Sequence, residues 1–137
     1  MEAKKEELWN QFKDFQHVFL ATTDGDQPRV RPVTLINFDN KLWITTDTWS
    51  DKVKQIQDNP KVELSFTFTE ENKDCCIRVT GLAKTIKDRH VKTKLAQHCE
   101  FFSKHWKNVD DPHYTLLEIL PSEAKYVTPE KTIRIRL

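Results

Sequence analysis

Glycine is nearly absent: only Gly25 and Gly81 occur in 137 residues. A dinucleotide fold seats phosphates on a glycine-rich loop, and no such run exists here. Cysteine is scarce and odd in number, with Cys75, Cys76 and Cys99. Neighbours on a strand point to opposite faces, so Cys75 and Cys76 are poor disulfide partners. Three free thiols fit a reducing, cytoplasmic setting. The longest apolar runs are a few residues long, which argues against a transmembrane helix. The opening "EAKKEELWN" lacks the apolar segment of a secretory leader. An excess of one charge is missing too. Charged residues make up 31% of the chain, yet the formal net charge is +1, which argues against a nucleic-acid binder driven by bulk charge. No Ser/His/Asp or Cys/His pairing suggests a hydrolase. Without repeats, low-complexity stretches or linkers, residues 1–137 read as one domain, long enough to bury a core.

What is present reads as strands joined by tight turns, with helices at intervals. Leu8, Phe12 and Phe15 recur at helical spacing, so an amphipathic helix is expected over 2–16. "VFLATT" (18–23), "PRVRPVTLINF" (28–38) and "LWITT" (42–46) read as strands, separated by the turns "DGDQ" and "DNK". A helix from about residue 50 should end before "DNP", because Pro60 disfavours helix at Asn59. "KVELSFTFT" (61–69) alternates Val62, Leu64, Phe66 and Phe68 inward against polar neighbours. A strand over 75–87 carries Gly81, which suggests a bulge or close backbone approach. A helix follows over 88–105, then a strand over 114–127 with a break at Pro121, and "TIRIRL" as a final edge strand. The pattern predicts a mainly β fold with α additions: an antiparallel barrel or sheet.

The stretch "WITTDTWSDK" gathers Thr45, Thr46, Thr48, Ser50 and Lys52 where a strand hands over to a helix. Ser50 is a good N-cap. A helix N-terminus offers open N–H groups and partial positive charge, and so favours an anion. Lys52 opposes that macrodipole, which makes sense where an anion sits at the same end. The competing reading is a simple cap with a solvated lysine. Arg31 precedes Pro32 in "RVRPVTL", and a proline in a strand marks an edge or irregular place. Arg31 is a second phosphate donor; on its own it reads better as a surface arginine on an edge strand.

The order "VFLATTDGDQPRVRPVTLIN", "KLWITTDTWSDKVKQIQDNPKVELSF" and "CIRVTGLAKTI" resembles the FMN-binding split barrel of the pyridoxamine 5'-phosphate oxidase-like superfamily. With "FFSKHWKNVDDPHYTLLEILPSEAKYV" added, the closer likeness is to its general stress protein branch, over roughly residues 5–127. That resemblance implies a six-stranded antiparallel Greek-key split β-barrel, working as a homodimer with FMN in clefts between subunits. It places Arg31, Pro32, Val33 and Thr34 along the flavin ring and ribityl chain. It sets Thr45 and Thr46 on the ribityl-phosphate, and Ser50, Asp51 and Lys52 on the phosphate. Trp106, and residues of the 77–81 strand, are candidates for closing the ring pocket from the partner subunit. True pyridoxamine 5'-phosphate oxidases carry a second basic residue where Ile36 stands, and end in an Arg-Leu-Ala-Pro type motif where this chain ends "TIRIRL". Oxidation of vitamin B6 is therefore not expected.

His90, His98 and His105 fall eight and seven apart, which would set them on one face of the expected helix. Metal or haem ligation is one reading, packing or solvated imidazoles the other; zinc spacing in helices is usually three or four. Of the four tryptophans, Trp49, beside Ser50, is the one expected near ligand. Two functions follow. One is an FMN-dependent oxidoreductase using a reduced nicotinamide and a small acceptor, with the cofactor carrying the redox chemistry. The other is a non-catalytic flavin- or haem-binding stress protein.

Overall fold

The computed structural model describes residues 2–137. In chain order it contains α1 (Glu2–Trp9), β1 (Phe15–Asp24), β2 (Gln27–Phe38), β3 (Lys41–Asp47), α2 (Asp51–Asp58), β4 (Lys61–Glu70), β5 (Lys73–Ile86), α3 (Arg89–His98), a 3-10 turn (Phe102–Lys104), β6 (Tyr114–Val127) and β7 (Thr132–Arg136). All strand pairs are antiparallel. The strand order is β3-β2-β1-β4-β5-β6-β7, and an added β3–β6 pairing closes strands β1 to β6 into a ring. After the β1-β2-β3 meander the chain returns through α2 to lay β4 beside β1, which is a Greek-key arrangement. The expected six-stranded barrel is therefore present, with β7 as a seventh strand outside the ring, on the second half of β6.

Turn chemistry sets the hairpins. Asp39 and Asn40, and again Glu71 and Asn72, have positive φ at both central positions. This gives the turn whose twist suits a two-residue hairpin. Between β1 and β2 only Gly25 is positive, at φ 65°, as the mirror-image type II turn needs at its first central residue. On β4, Val62, Leu64 and Phe66 are buried, while Phe68 is half-buried against Tyr126. Gly81 sits at a register shift in β5, and a Cβ there would overlap the backbone of Leu120.

Two cores result. One fills the barrel and includes Leu8, Leu20, Leu64, Ile77 and Leu117; the other lies outside it, where Leu95, Cys99, Phe102 and Trp106 cover Ile36, Trp43 and Leu116. The second core explains where the expected helices run too long. The α3 helix stops at His98, not 105, because Cys99, Phe102 and Trp106 must all reach that core. His105 thus leaves the helix, and the three histidines do not share one face. The α1 helix stops at Trp9, not 16. Phe12 turns into the barrel, and Phe15 joins β1 opposite Ile36. No described helix is long and apolar enough to cross a membrane, and all three cysteines are free.

Candidate functional site

The barrel is split between β2 and β3. These strands pair only at Ile36–Phe38 with Lys41–Trp43. Beyond that point β3 runs on against β6, through Asp47, while β2 runs on against β1. The residues of β2 from Gln27 to Leu35 therefore have a neighbour on one side only. The wedge between the two strands is a cavity of about 640 Å³, lined by Pro32, Val33 and Thr34 from β2 and by Ile44, Thr45 and Thr46 from β3. That is within the usual range for a small-molecule pocket, roughly 300–1,000 Å³.

Both strand prolines suit this edge. Asp24 and Gln27 flank the two-residue turn, and hydrogen-bonded pairs alternate with open ones along an antiparallel ladder. Pro28, opposite Thr23, and Pro32, opposite Phe19, thus fall at open pairs, with their nitrogens turned away from β1. Neither costs β1 a hydrogen bond, and Thr34 is left as an outward N–H donor in the wedge.

At the base of the wedge stands the start of α2. Lys52 lines both this cavity and a second one on its other side, lined also by Arg31, Ser50, Asp51 and Gln55. Ser50 holds the N-cap position, but its side chain caps nothing. Its hydroxyl instead meets Thr46 Oγ1 at 3.3 Å and accepts from Lys52 Nζ at 3.3 Å. The first-turn N–H groups of Asp51 and Lys52 are left open.

Arg31 is clamped. Its Nη1 donates to Thr22 Oγ1 at 2.8 Å and Leu20 O at 3.3 Å, and its Nη2 donates to Gln55 Oε1 at 2.9 Å. Thr22 in turn donates to Gln55 at 2.6 Å. Among the described residues neither Arg31 nor Lys52 forms an ion pair. Burial holds the Arg31 guanidinium below its ordinary pKa, against a raising effect of Asp51. Burial also lowers the Lys52 ammonium, and the Arg31 charge lowers it further; Asp47 and Asp51 partly offset this. Two half-buried cations thus disfavour each other's charge beside open N–H groups and the hydroxyls of Ser50 and Thr46. An anion would relieve all of these at once.

The structure thus brings Arg31, Pro32, Val33, Thr34, Thr45, Thr46, Ser50, Asp51 and Lys52 to the walls of two cavities that share Lys52. Trp106 also lines the wedge, from the same chain, with its indole N–H fixed on His113 O at 3.1 Å. Trp49 does not line either cavity. It is 73% exposed, and its ring lies edge-on to His113. The backbone N–H of Trp49 bonds to Asp47 Oδ1, in the loop before α2. Ile36 is fully buried in the second core, where a cation would lose its water. The sequence reading missed Thr22 and Gln55, which aim Arg31, and the aromatic wall of Phe15, His17 and Phe101, in which His105, weighed from sequence as a metal or haem ligand or a packing imidazole, takes part. Gln55 had a signal, standing one helical turn after Lys52.

A family model described as pyridoxamine 5'-phosphate oxidase like matches residues 3–135. A NimC/NimA family protein from Clostridium acetobutylicum is 28% identical, with a TM-score of 0.76 over 100% of this chain and 92% of that one. General stress protein 26 from Bacillus anthracis is 25% identical, with a TM-score of 0.77 over 98% of each chain. A pyridoxamine 5'-phosphate oxidase-related, FMN-binding protein from Nostoc punctiforme shares the fold at 20% identity (TM-score 0.68, 86% of this chain and 78% of that). A haem-binding protein from Mycobacterium smegmatis shares it at 10% (TM-score 0.72, 90% and 53%). No curated protein sequence matches. With the model covering nearly its whole length, the chain belongs to the pyridoxamine 5'-phosphate oxidase-like family, and its likeness is to the general stress protein branch.

Proposed function

We propose that this protein binds FMN as a homodimer and acts as an FMN-dependent oxidoreductase, with a reduced nicotinamide as donor and a small molecule as acceptor. One observation carries the reading: Arg31 and Lys52, half-buried and without an ion-pair partner among the described residues, share a cavity beside the wedge, and Lys52 lines both. The inventory fits a mononucleotide. There is one cation pair with one helix start for a terminal phosphate. Beside it runs an open strand edge, Pro32 to Thr34, for a flat ring. Lys52, Arg31, Ser50 and Thr46 would hold the phosphate, and Thr45 would contact the chain between phosphate and ring. FMN, when bound, supplies hydride and electron transfer. The protein's part is to orient the cofactor and shield it from water.

A second copy is the natural cover for the outer face beside the wedge. Phe19 is 56% exposed and Val30 is 68% exposed there. Phe19 stands opposite Pro32 in the β1–β2 register, and Val30 lies next along β2 on the same face. Light scattering should therefore give a dimer mass.

The cofactor test is a titration of the free protein with FMN, FAD, NADP and haem, followed by anaerobic dithionite. FMN should bind in preference and be reducible. Tighter binding of haem, seen as a Soret band, would replace this reading with haem held by His17 or His105, the imidazoles that line the wedge. Oxidation of NAD(P)H under air by the loaded protein separates an enzyme from a flavin store.

A further inference from the structure

The wall of the wedge facing away from α2 is an arc of aromatic rings. Phe15, on β1, lies edge-on to Phe101 with centroids 5.8 Å apart. Phe101 lies edge-on to His105 at 6.4 Å, and His105 tilts against Trp106 at 5.3 Å. Behind this arc His98 stacks on Phe15 at 5.2 Å and tilts against Phe38 at 4.3 Å, which holds it against Phe15. His17 follows two residues after Phe15 on the same strand face, opposite Thr34 across the ladder. His17 therefore stands beside Phe15 and His105 beside Phe101, the two phenyl rings meeting nearly at right angles, and all four side chains line the cavity. Both histidines are exposed to it, and neither ring nitrogen is spent on another side chain by hydrogen bond among the described residues.

The charges that share this cavity are Lys52 and Asp47. The carboxylate of Asp47 is turned to its own loop, where one oxygen accepts from Trp49 N and the other lies 4.0 Å from His113 Nδ1. With Lys52 covered by the cofactor phosphate, the remaining polar groups on the aromatic side are two N–H donors beside an apolar corner.

We propose that His17 and His105 make this the acceptor site for a planar acid, an aromatic or conjugated carboxylate whose ring packs into the corner between Phe15 and Phe101 and whose anionic oxygens accept from the imidazoles. This rests on the FMN reading, which assigns the opposite wall and Lys52 to the cofactor. A neutral planar molecule would gain the same apolar contact and lose the charge-assisted hydrogen bonds.

The test uses protein saturated with FMN and titrated by calorimetry with benzoate and with benzyl alcohol, its neutral analogue. Benzoate should bind about tenfold tighter. It should also shift the His17 and His105 ring resonances in a carbon-correlated NMR spectrum. His17→Phe and His105→Phe keep a flat ring and remove the donor. Each should cut benzoate affinity about tenfold, while affinity for benzyl alcohol and for FMN stays within about twofold. Equal binding of the two probes to the loaded protein, or discrimination unchanged in both variants, overturns the proposal and leaves the FMN reading standing. Failure to saturate with FMN at the first step sinks both.

Discussion

The sharpest consequence of the unpaired cations concerns Lys52→Ala. Lys52 Nζ has one hydrogen-bond partner, Ser50 Oγ at 3.3 Å, and sits where burial and Arg31 both disfavour its charge. In the free protein it therefore contributes little, and its removal relieves repulsion on Arg31. With phosphate present it would make a charge-assisted contact worth about 1.5–3 kcal/mol, or about ten- to a hundred-fold in affinity. Two readouts should move in opposite directions. FMN affinity, followed by quenching of flavin fluorescence, should fall by that factor. The melting temperature of the free protein should hold or rise. Riboflavin, which lacks the phosphate, should bind the variant and the parent alike. An equal loss for riboflavin and FMN, or a drop in the free protein's melting temperature, would show Lys52 supporting the fold, and the phosphate argument would fail.

Gln55→Leu removes the acceptor that Arg31 Nη2 and Thr22 share, so FMN affinity should fall about two- to tenfold through loss of aim; an unchanged affinity would mean that Arg31 is held without it. Lys52 also predicts a pH profile. Its pKa lies below 10.5 in the free protein, and a phosphate would raise it, so binding takes up a proton between those two values. FMN affinity should weaken as pH rises through that alkaline window. Between its lowered pKa and the unfolded value near 10.5 the free protein should gain stability relative to Lys52→Ala, because the disfavoured ammonium is discharged. A flat FMN profile, or the same profile in Lys52→Ala, would remove Lys52 as its source. Gly81→Ala should destabilise by about 1–3 kcal/mol in urea unfolding, since the new methyl meets the backbone of Leu120; a neutral result would mean that the bulge yields.

Local pattern carried most of the order of elements along the chain. The alternation of 61–69 gave the face of β4, and Asn59-Pro60 gave the end of α2, because these depend on neighbours in sequence. Where the reading ran long, the cause was tertiary. Leu8, Phe12 and Phe15 share a helical spacing, but pairing with β2 takes Phe15 into β1. The stretch from 88 to 105 looks helical until Cys99, Phe102 and Trp106 are required on one buried surface with Tyr114. The site shows the same division. Thr45, Thr46, Ser50, Asp51 and Lys52 lie within eight residues and read as one cluster. The clamp on Arg31 joins β1, β2 and α2, and the aromatic arc joins β1 to the segment after α3, so neither has a spacing to find. Trp49 shows the limit of adjacency: its neighbour Ser50 faces the site, while Trp49 points to solvent and His113.

The same two prolines bear on why such a site lasts. A barrel opened along β2 exposes strand edge from Gln27 to Leu35, which invites pairing with another chain. Pro28 and Pro32 both turn their nitrogens to that edge, so an incoming strand would lose two of the donors it needs. Removing the prolines would restore those donors and turn an open edge into an aggregation-prone one. Keeping them leaves Val30 and Thr34 as outward donors, too few and too widely spaced for strand addition but open to a ligand's polar rim. Opening the barrel at β2–β3 and guarding the opening with proline are thus one solution: the wedge stays accessible to a small molecule, and the edge beside it resists continuing the sheet.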